Sequence, residues 1–334
     1  MSIQNSLSPL LRAHRPLRTV LIGTSLGNES DQVVRAGLAT ARAAGARVFL
    51  EHVVQLEPLP IGFDVGAGPD LNREQIARCH EELDRQIERL GIQKSELLGS
   101  EVRVGAPHRI LAEAAQQAGA DLIVVGATGS GPLAAELLGS TTDRVLRRAF
   151  CPVLIVRGEL RVPPRHVLAP VDLSTLSGDA FRCGLSLVAQ MTGREEIHVR
   201  SVFAASFLDD PAARQRGGKA PERVERSAAE ELRRFVLENR PDLPFPVETA
   251  ILAGEARVEI LRELKEHPVD LVILGTHGRG GMDRLVLGSV ASTVARKAPC
   301  SVLVISPEAA LAEGIAEAVT NRTEPVWHQE SAPA

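Results

Sequence analysis

The stretches Asp121–Val156 and Asp270–Ile305 align without a gap. Asp121 meets Asp270, Gly126 meets Gly275, Gly139 meets Gly288 and Cys151 meets Cys300, each pair 149 positions apart. A repeat with the period of a whole domain excludes a solenoid, whose units are much shorter, and requires one fold used twice. Upstream the likeness is weaker but continues: Arg18–Ser25 pairs with Arg165–Asp172, and Val48–Val53 with Ile197–Val202. The join falls in Arg157–Arg165, where Gly158, Pro163 and Pro164 interrupt the pattern. The expected organisation is a domain over residues 17–157, a second over 165–307, and a tail over 308–334. The tail is expected to open with a short helix, Glu308–Val319, and then to be disordered.

Each copy alternates strand and helix. In the first, the pattern predicts strands over Thr19–Thr24, Arg47–Val54, Leu97–Val104, Asp121–Gly126 and Pro152–Val156. Between them fall an Ala-rich helix over Asp31–Ala44 ended by Gly45, a charged helix over Leu71–Leu90, a helix opened by Pro107 and one starting near Ser140. Runs such as Leu122–Val125 and Leu271–Leu274 are apolar throughout, as in strands buried on both faces. The predicted fold class is α/β, with two tandem doubly wound, mostly parallel five-stranded sheets and helices on both faces.

Composition narrows the function. The net charge is −4, so nothing global draws the chain to nucleic acid or an anionic membrane. Aromatic residues make up 3% and Tyr is absent, which argues against base-stacking platforms. No apolar run reaches the roughly 20 residues needed to span a bilayer, and the first sixteen residues do not read as a signal peptide. A soluble cytoplasmic protein is the expectation. The four cysteines form no CxxC pair and the histidines show no metal spacing, which removes zinc-ribbon and thioredoxin-type readings.

The most informative motif is a glycine loop that follows the fourth strand of each copy: Gly126-x2-Gly129-x9-Gly139-Ser140 and Gly275-x2-Gly278-x9-Gly288-Ser289. In an open α/β sheet ligands sit at the carboxyl ends of strands. Glycine lets the backbone approach an anion, and the following helix offers free N–H groups and a partial positive charge. The competing reading is that these glycines only make turns and each Ser is an N-cap. Two copies in matching context favour phosphate binding. The loop is not a Walker A loop, because no Gly-Lys-Ser/Thr follows, and not a dinucleotide fingerprint, because the third glycine is missing and the loop sits at the fourth strand. An SGGxDS-type synthetase loop is also absent.

With these motifs, and with Cys-Pro-Val-Leu-Ile-Val, Cys-Ser-Val-Leu-Val-Ile and Val167–Asp172 as strand matches, the chain resembles the universal stress protein family in tandem form over about Leu17–Pro307. The resemblance implies binding of ATP or ADP, with Mg²⁺ as the usual companion of phosphates, and a stress-response role exercised through protein partners. It implies that Pro170, Val171 and Asp172 lie beside the adenosine and that the backbone of Val202 meets the adenine edge. It places Gly275 and Gly278 along ribose and phosphates, and Gly288, Ser289 and Val290 around the phosphates. In the first copy the matching positions are Thr24, Ser25, Val53, Gly126, Gly129, Gly139, Ser140 and Thr141. Ser25 stands where Asp172 stands, and a hydroxyl is the weaker acceptor for ribose, so the second copy is expected to be the stronger site. The resemblance also implies an intrachain pseudo-dimer through Pro152–Val156 and Ser301–Ile305, and leaves a homodimer open.

Arg279 lies inside the second loop, where a phosphate contact and a solvated charge are both open. His277 reads as a loop histidine rather than a base. Arg147, Arg148, Arg296 and Lys297 end the helices after the loops and are expected to complement the helix dipoles. Glu222–Arg234 reads as a solvated helical face, and Ile61–Pro69 and Asp209–Pro221 as irregular connections. No triad or catalytic dyad is readable. A nucleotide-binding regulatory module is therefore the leading expectation, ahead of a slow ATPase or adenylyl-transfer enzyme and of a nucleotide-free scaffold.

Overall fold

Strands buried on both faces need helices on both faces, and the chain supplies them in strict alternation. The computed structural model describes residues 16–55, 68–127, 138–192, 196–205, 222–240, 242–276, 287–307 and 309–310, with side chains from residue 73 in the second of these segments. The first copy contains β1 (Thr19–Thr24), α1 (Asp31–Ala44), β2 (Arg47–Val54), α2 (Gly68–Arg89), β3 (Leu97–Val104), α3 (Pro107–Gln117), β4 (Leu122–Gly126), α4 (Ser140–Leu146) and β5 (Val153–Val156). The second contains β6 (His166–Val171), α5 (Thr175–Gln190), β7 (His198–Ala205), α6 (Glu222–Asn239), β8 (Val247–Ala253), α7 (Ala256–Glu266), β9 (Leu271–Gly275), α8 (Ser289–Lys297) and β10 (Ser301–Ile305). Gly129, His277, Gly278, Arg279, Asp209–Pro221 and the tail beyond residue 310 lie outside the described residues, as does most of the Ile61–Pro69 connection.

The strands form one ten-stranded sheet in the order β3-β2-β1-β4-β5-β10-β9-β6-β7-β8. Within each copy all pairings are parallel, and the copies join where β5 and β10 pair antiparallel through Val153–Val304, Leu154–Leu303 and Ile155–Val302. Side chains alternate across the sheet. Val20, Ile22 and Val124 join a core with α1, α2, α5 and α6, while Leu21, Ile123 and Val125 join one with α3, α4, α7 and α8. The amphipathic helices each cover one face.

The join is also polar, and asymmetric. The half-buried Arg157 donates to the carbonyls of Ala295 and Arg296 at the end of α8, both at 2.8 Å. Arg296 and Arg147 both reach Asp143 of α4, at 2.9 and 3.1 Å. The position matching Asp143 in the second copy is Ser292, so no reciprocal acid exists. The sequence expectation that Arg147 and Arg296 serve the helix dipole is therefore incomplete: their partner is a carboxylate shared across the join.

Candidate functional site at the carboxyl ends of β6 and β9

In each copy the chain winds outward from the first strand to the third, then returns to place the fourth on the first strand's other side. That reversal opens a crevice at the carboxyl ends of β1 and β4, and of β6 and β9. In the second copy the β6–β9 ladder ends at Leu168–Val272, although β6 runs on to Val171 and β9 to Gly275. The strands part over these last residues. Pro170, which brings no N–H, sits beyond the last β6–β9 pair, where a central strand tolerates it.

The wall on the β9 side is built by backbone. Thr276 donates its N–H to Ile305 O at 2.9 Å and accepts the Gly288 N–H at 2.8 Å. A Cβ on Gly288 would lie 3.0 Å from that same Thr276 oxygen, so glycine is the residue that closes the chain here without a shift. Gly288 is the N-cap of α8, with extended φ/ψ of −53° and 151° and no side-chain cap. The first intrahelical bond runs from Ser292 N–H to Gly288 O. The amides of Ser289, Val290 and Ala291 therefore precede the ladder, and among the described residues no acceptor meets them. The Gly288 amide is different, because Thr276 already holds it. Ser289 is the first helical residue and exposed, not the cap. The first copy repeats the arrangement, with Gly139 N–H on Ala127 O at 2.8 Å, Ser140 exposed at the start of α4, and Thr141 next to it. There, however, Thr142 Oγ1 donates to Gly126 O at 2.7 Å, a tie that Ala291 cannot make.

The wall on the β6 side is built by Asp172. Its Oδ1 accepts from Ser174 N–H at 3.0 Å and from Ser174 Oγ at 2.6 Å, and its own N–H donates to Ser177 Oγ. Ser174 Oγ in turn caps α5 by accepting from Ser177 N–H. Leu173 between them takes a left-handed φ of 66°. The carboxylate is thus half-buried and fixed at the crevice mouth. Val202 is buried on β7, paired with Pro170 and Ala250, which puts its backbone one strand from the crevice. Pro170, Val171, Asp172, Gly275, Gly288, Ser289 and Val290 all belong to elements ending at this crevice.

In the first copy Ser25 is exposed and the work of Asp172 shifts one residue back. Thr24 Oγ1 accepts the Leu26 N–H at 3.1 Å and donates to Gln86 Oε1 at 2.8 Å. The fully buried Gln86 donates to Ser30 Oγ and to Asp31 Oδ1, and Arg89 pairs with Asp31. Arg89 pulls the Asp31 carboxyl below its ordinary value. His52, beside Val53, meets Thr24 O through Nδ1 at 2.9 Å, and burial pushes its pKa down. In the second copy Gln86 is replaced by Phe235, whose ring lies 6.1 Å from that of Phe181. Sequence reasoning missed Thr276, Ser174 and Gln86. Only Ser174 had a readable signal, a serine two residues after an aspartate and three before Ser177, whose N–H it accepts as the cap.

The model of the universal stress protein family matches residues 16–157 and again residues 164–306. The chain belongs to the universal stress protein family. A universal stress protein of Mycolicibacterium smegmatis is 30% identical over 313 residues, covering 86% of this chain and 97% of its own. One from Mycobacterium tuberculosis is 28% identical over 305 residues, covering 85% of this chain and 96% of its own. The crystal structure of a universal stress protein from Archaeoglobus fulgidus superimposes with a TM-score of 0.59 at 21% identity, over 88% of this chain and all of that one, a likeness of fold. Among the described residues no helix is long and apolar enough to cross a membrane, and no group of three or more His, Cys, Asp or Glu could hold a metal. Burial pushes the Cys151 and Cys300 thiols up to about 12, so neither is a ready nucleophile.

Proposed function

We propose that this universal stress protein is a regulatory module that binds an adenine nucleotide, ATP or ADP, in its second copy, and binds it weakly or not at all in the first. The reading treats residues 17–157 and 165–307 as two domains and 308–334 as a tail. The observation that carries it is the uncapped start of α8. Three successive amides, of Ser289, Val290 and Ala291, meet no acceptor among the described residues, at the point where β6 and β9 part. Such a helix start suits phosphate oxygens through donors and dipole together. Asp172 lies across the crevice as an acceptor for ribose hydroxyls, and the backbone of Val202 would face the adenine edge. Gly288 serves by lacking a Cβ rather than by donating. In this reading Gly278 and Arg279 complete the phosphate side and Mg²⁺ accompanies the phosphates. The family resemblance supports the choice of adenine nucleotide over other phosphates.

Isothermal titration of ATP into the full chain tests the proposal. One dominant site is expected, and Asp172→Ala should weaken it about tenfold, from the loss of a charge-assisted hydrogen bond worth about 1.5 kcal/mol. No measurable heat with the wild-type chain, or an affinity untouched by Asp172→Ala, contradicts the assignment.

A further inference from the structure

The duplication supplies an internal control. Features on one copy and lacking on the other are not demands of the fold. On the outer side of the second copy, α7 and α8 leave a groove of about 600 Å³ between them. Its floor is Val258, 52% exposed, and the partly buried Leu261, one helical turn apart on α7. Arg257, Arg262, Lys265 and Lys297 surround that floor, together with Thr293 and one acid, Glu255. Arg257 pairs with Glu255 and Arg262 with Glu259, each at 2.7 Å. Among the described residues no carboxylate lies within ion-pair distance of Lys265 or Lys297. The matching positions on α3 of the first copy carry Arg109 for Val258, Ala112 for Leu261, Glu113 for Arg262 and Gln116 for Lys265. Arg109 and Glu113 there answer each other at 3.6 Å. Arg148 of the first copy matches Lys297, so part of the basic rim is common to both copies; the apolar floor and Lys265 are particular to the second, in a chain whose overall charge is −4.

We propose that the α7–α8 groove docks an acidic amphipathic segment of a partner protein, which lays aliphatic side chains on Val258 and Leu261 and carboxylates beside Lys265 and Lys297. Each half of the groove alone has an ordinary explanation, as a stray surface aliphatic or as solvated charge; together they specify a ligand with both characters. A polynucleotide would serve the lysines and leave the floor uncovered, and the net negative charge repels it at a distance. The chain's own tail, 311–334, carries acids and aliphatics, but it departs from Ala309, which is buried in the core on the other side of the sheet. None of the residues assigned to the crevice at β6 and β9 lines the groove, so the proposal does not depend on nucleotide binding.

Fluorescence anisotropy on the full chain tests it, with a labelled peptide of Glu-Leu-Leu-Glu repeats, about 14 residues or roughly four helical turns. Saturable binding is expected, and it should weaken as salt rises. The double substitution Lys265→Glu with Lys297→Glu should weaken it about tenfold or more. Leu261→Ser should weaken it about threefold or more by removing the floor. Thermal melts confirm that both variants fold. Equal binding of a peptide with Lys in place of Glu, or unchanged binding by the lysine variant, overturns the proposal. So does tighter binding of a single-stranded oligonucleotide, or displacement of the probe at lower concentration by a peptide of residues 311–334 than by the unlabelled probe itself.

Discussion

The two copies differ most at the ends of their first strands. In the first copy Thr24, Gln86, Ser30, Asp31 and Arg89 hydrogen-bond to one another above β1 and satisfy their own polar groups. In the second, Val171 and Phe235 stand at the positions of Thr24 and Gln86, Phe235 lies near Phe181, and the polar group at the strand's end is Asp172, bonded to Ser174. The helix starts on the opposite wall are nearly identical, each with a glycine cap bonded to a carbonyl of the preceding loop. One scaffold thus keeps the same glycine-capped helix start twice, and varies the side chains at the end of the first strand. The first copy ties its polar side chains into a network of its own, and the second holds an aspartate at the matching strand end through Ser174.

Four substitutions sharpen or break this contrast. The largest effect is expected from Gly288→Val. A side chain there meets Thr276 O at 3.0 Å, so the start of α8 must move, and ATP affinity should fall about a hundredfold, near 2.7 kcal/mol. Retained affinity by titration would show that the close approach does not matter for binding. Next is Gln86→Leu, which leaves Thr24, Ser30 and Asp31 short of partners inside the first copy. Chemical denaturation should record a loss of about 1–3 kcal/mol, with ATP affinity of the second copy unchanged. Ser25→Asp restores the acceptor missing from the first copy and should strengthen its nucleotide binding by about 1 kcal/mol; a titration identical to wild type would mean that the inward network, not the missing carboxylate, is what disables that copy.

The smallest effect concerns pH. Burial lowers the folded-state pKa of His52, so the unfolded chain binds the proton more readily, and stability falls as pH drops below about 6.5 toward the lowered value. The matching residue of the second copy is Ser201, which does not titrate. His52→Asn should flatten the stability profile in that window by less than about 1 kcal/mol. An unchanged slope would indicate that other histidines dominate it.

The frame was legible because it rests on local periodicity. Apolar runs such as Leu122–Val125 and Leu271–Leu274 gave the buried strands, and the 149-residue offset gave the duplication. Contacts between residues far apart in sequence were not legible. A glycine inside a helix reads as a weak point, yet a Cβ on Gly37 would lie 2.6 Å from Ile22 Cδ1; it is there because α1 lies close against β1. The serine after each cap glycine reads as a cap by residue type. It becomes the first helical residue because the preceding glycine, tied to a loop carbonyl, already occupies the cap position. Gln86 on a helix otherwise read as charged surface gave no hint that it is fully buried, because its partners come from Thr24, Ser30 and Asp31 on two other elements.

The antiparallel seam between β5 and β10 has a further consequence. Because both halves are one polypeptide, each always meets the same companion, at an effective concentration that dilution cannot lower. An assembly of separate identical subunits must keep its contact surface self-complementary, since every change appears on both sides at once. Covalent fusion removes that restraint. A lone aspartate can receive arginines from both halves, as Asp143 does, and matched positions can diverge, as Ser25 and Asp172 have, with no mismatched assemblies formed along the way.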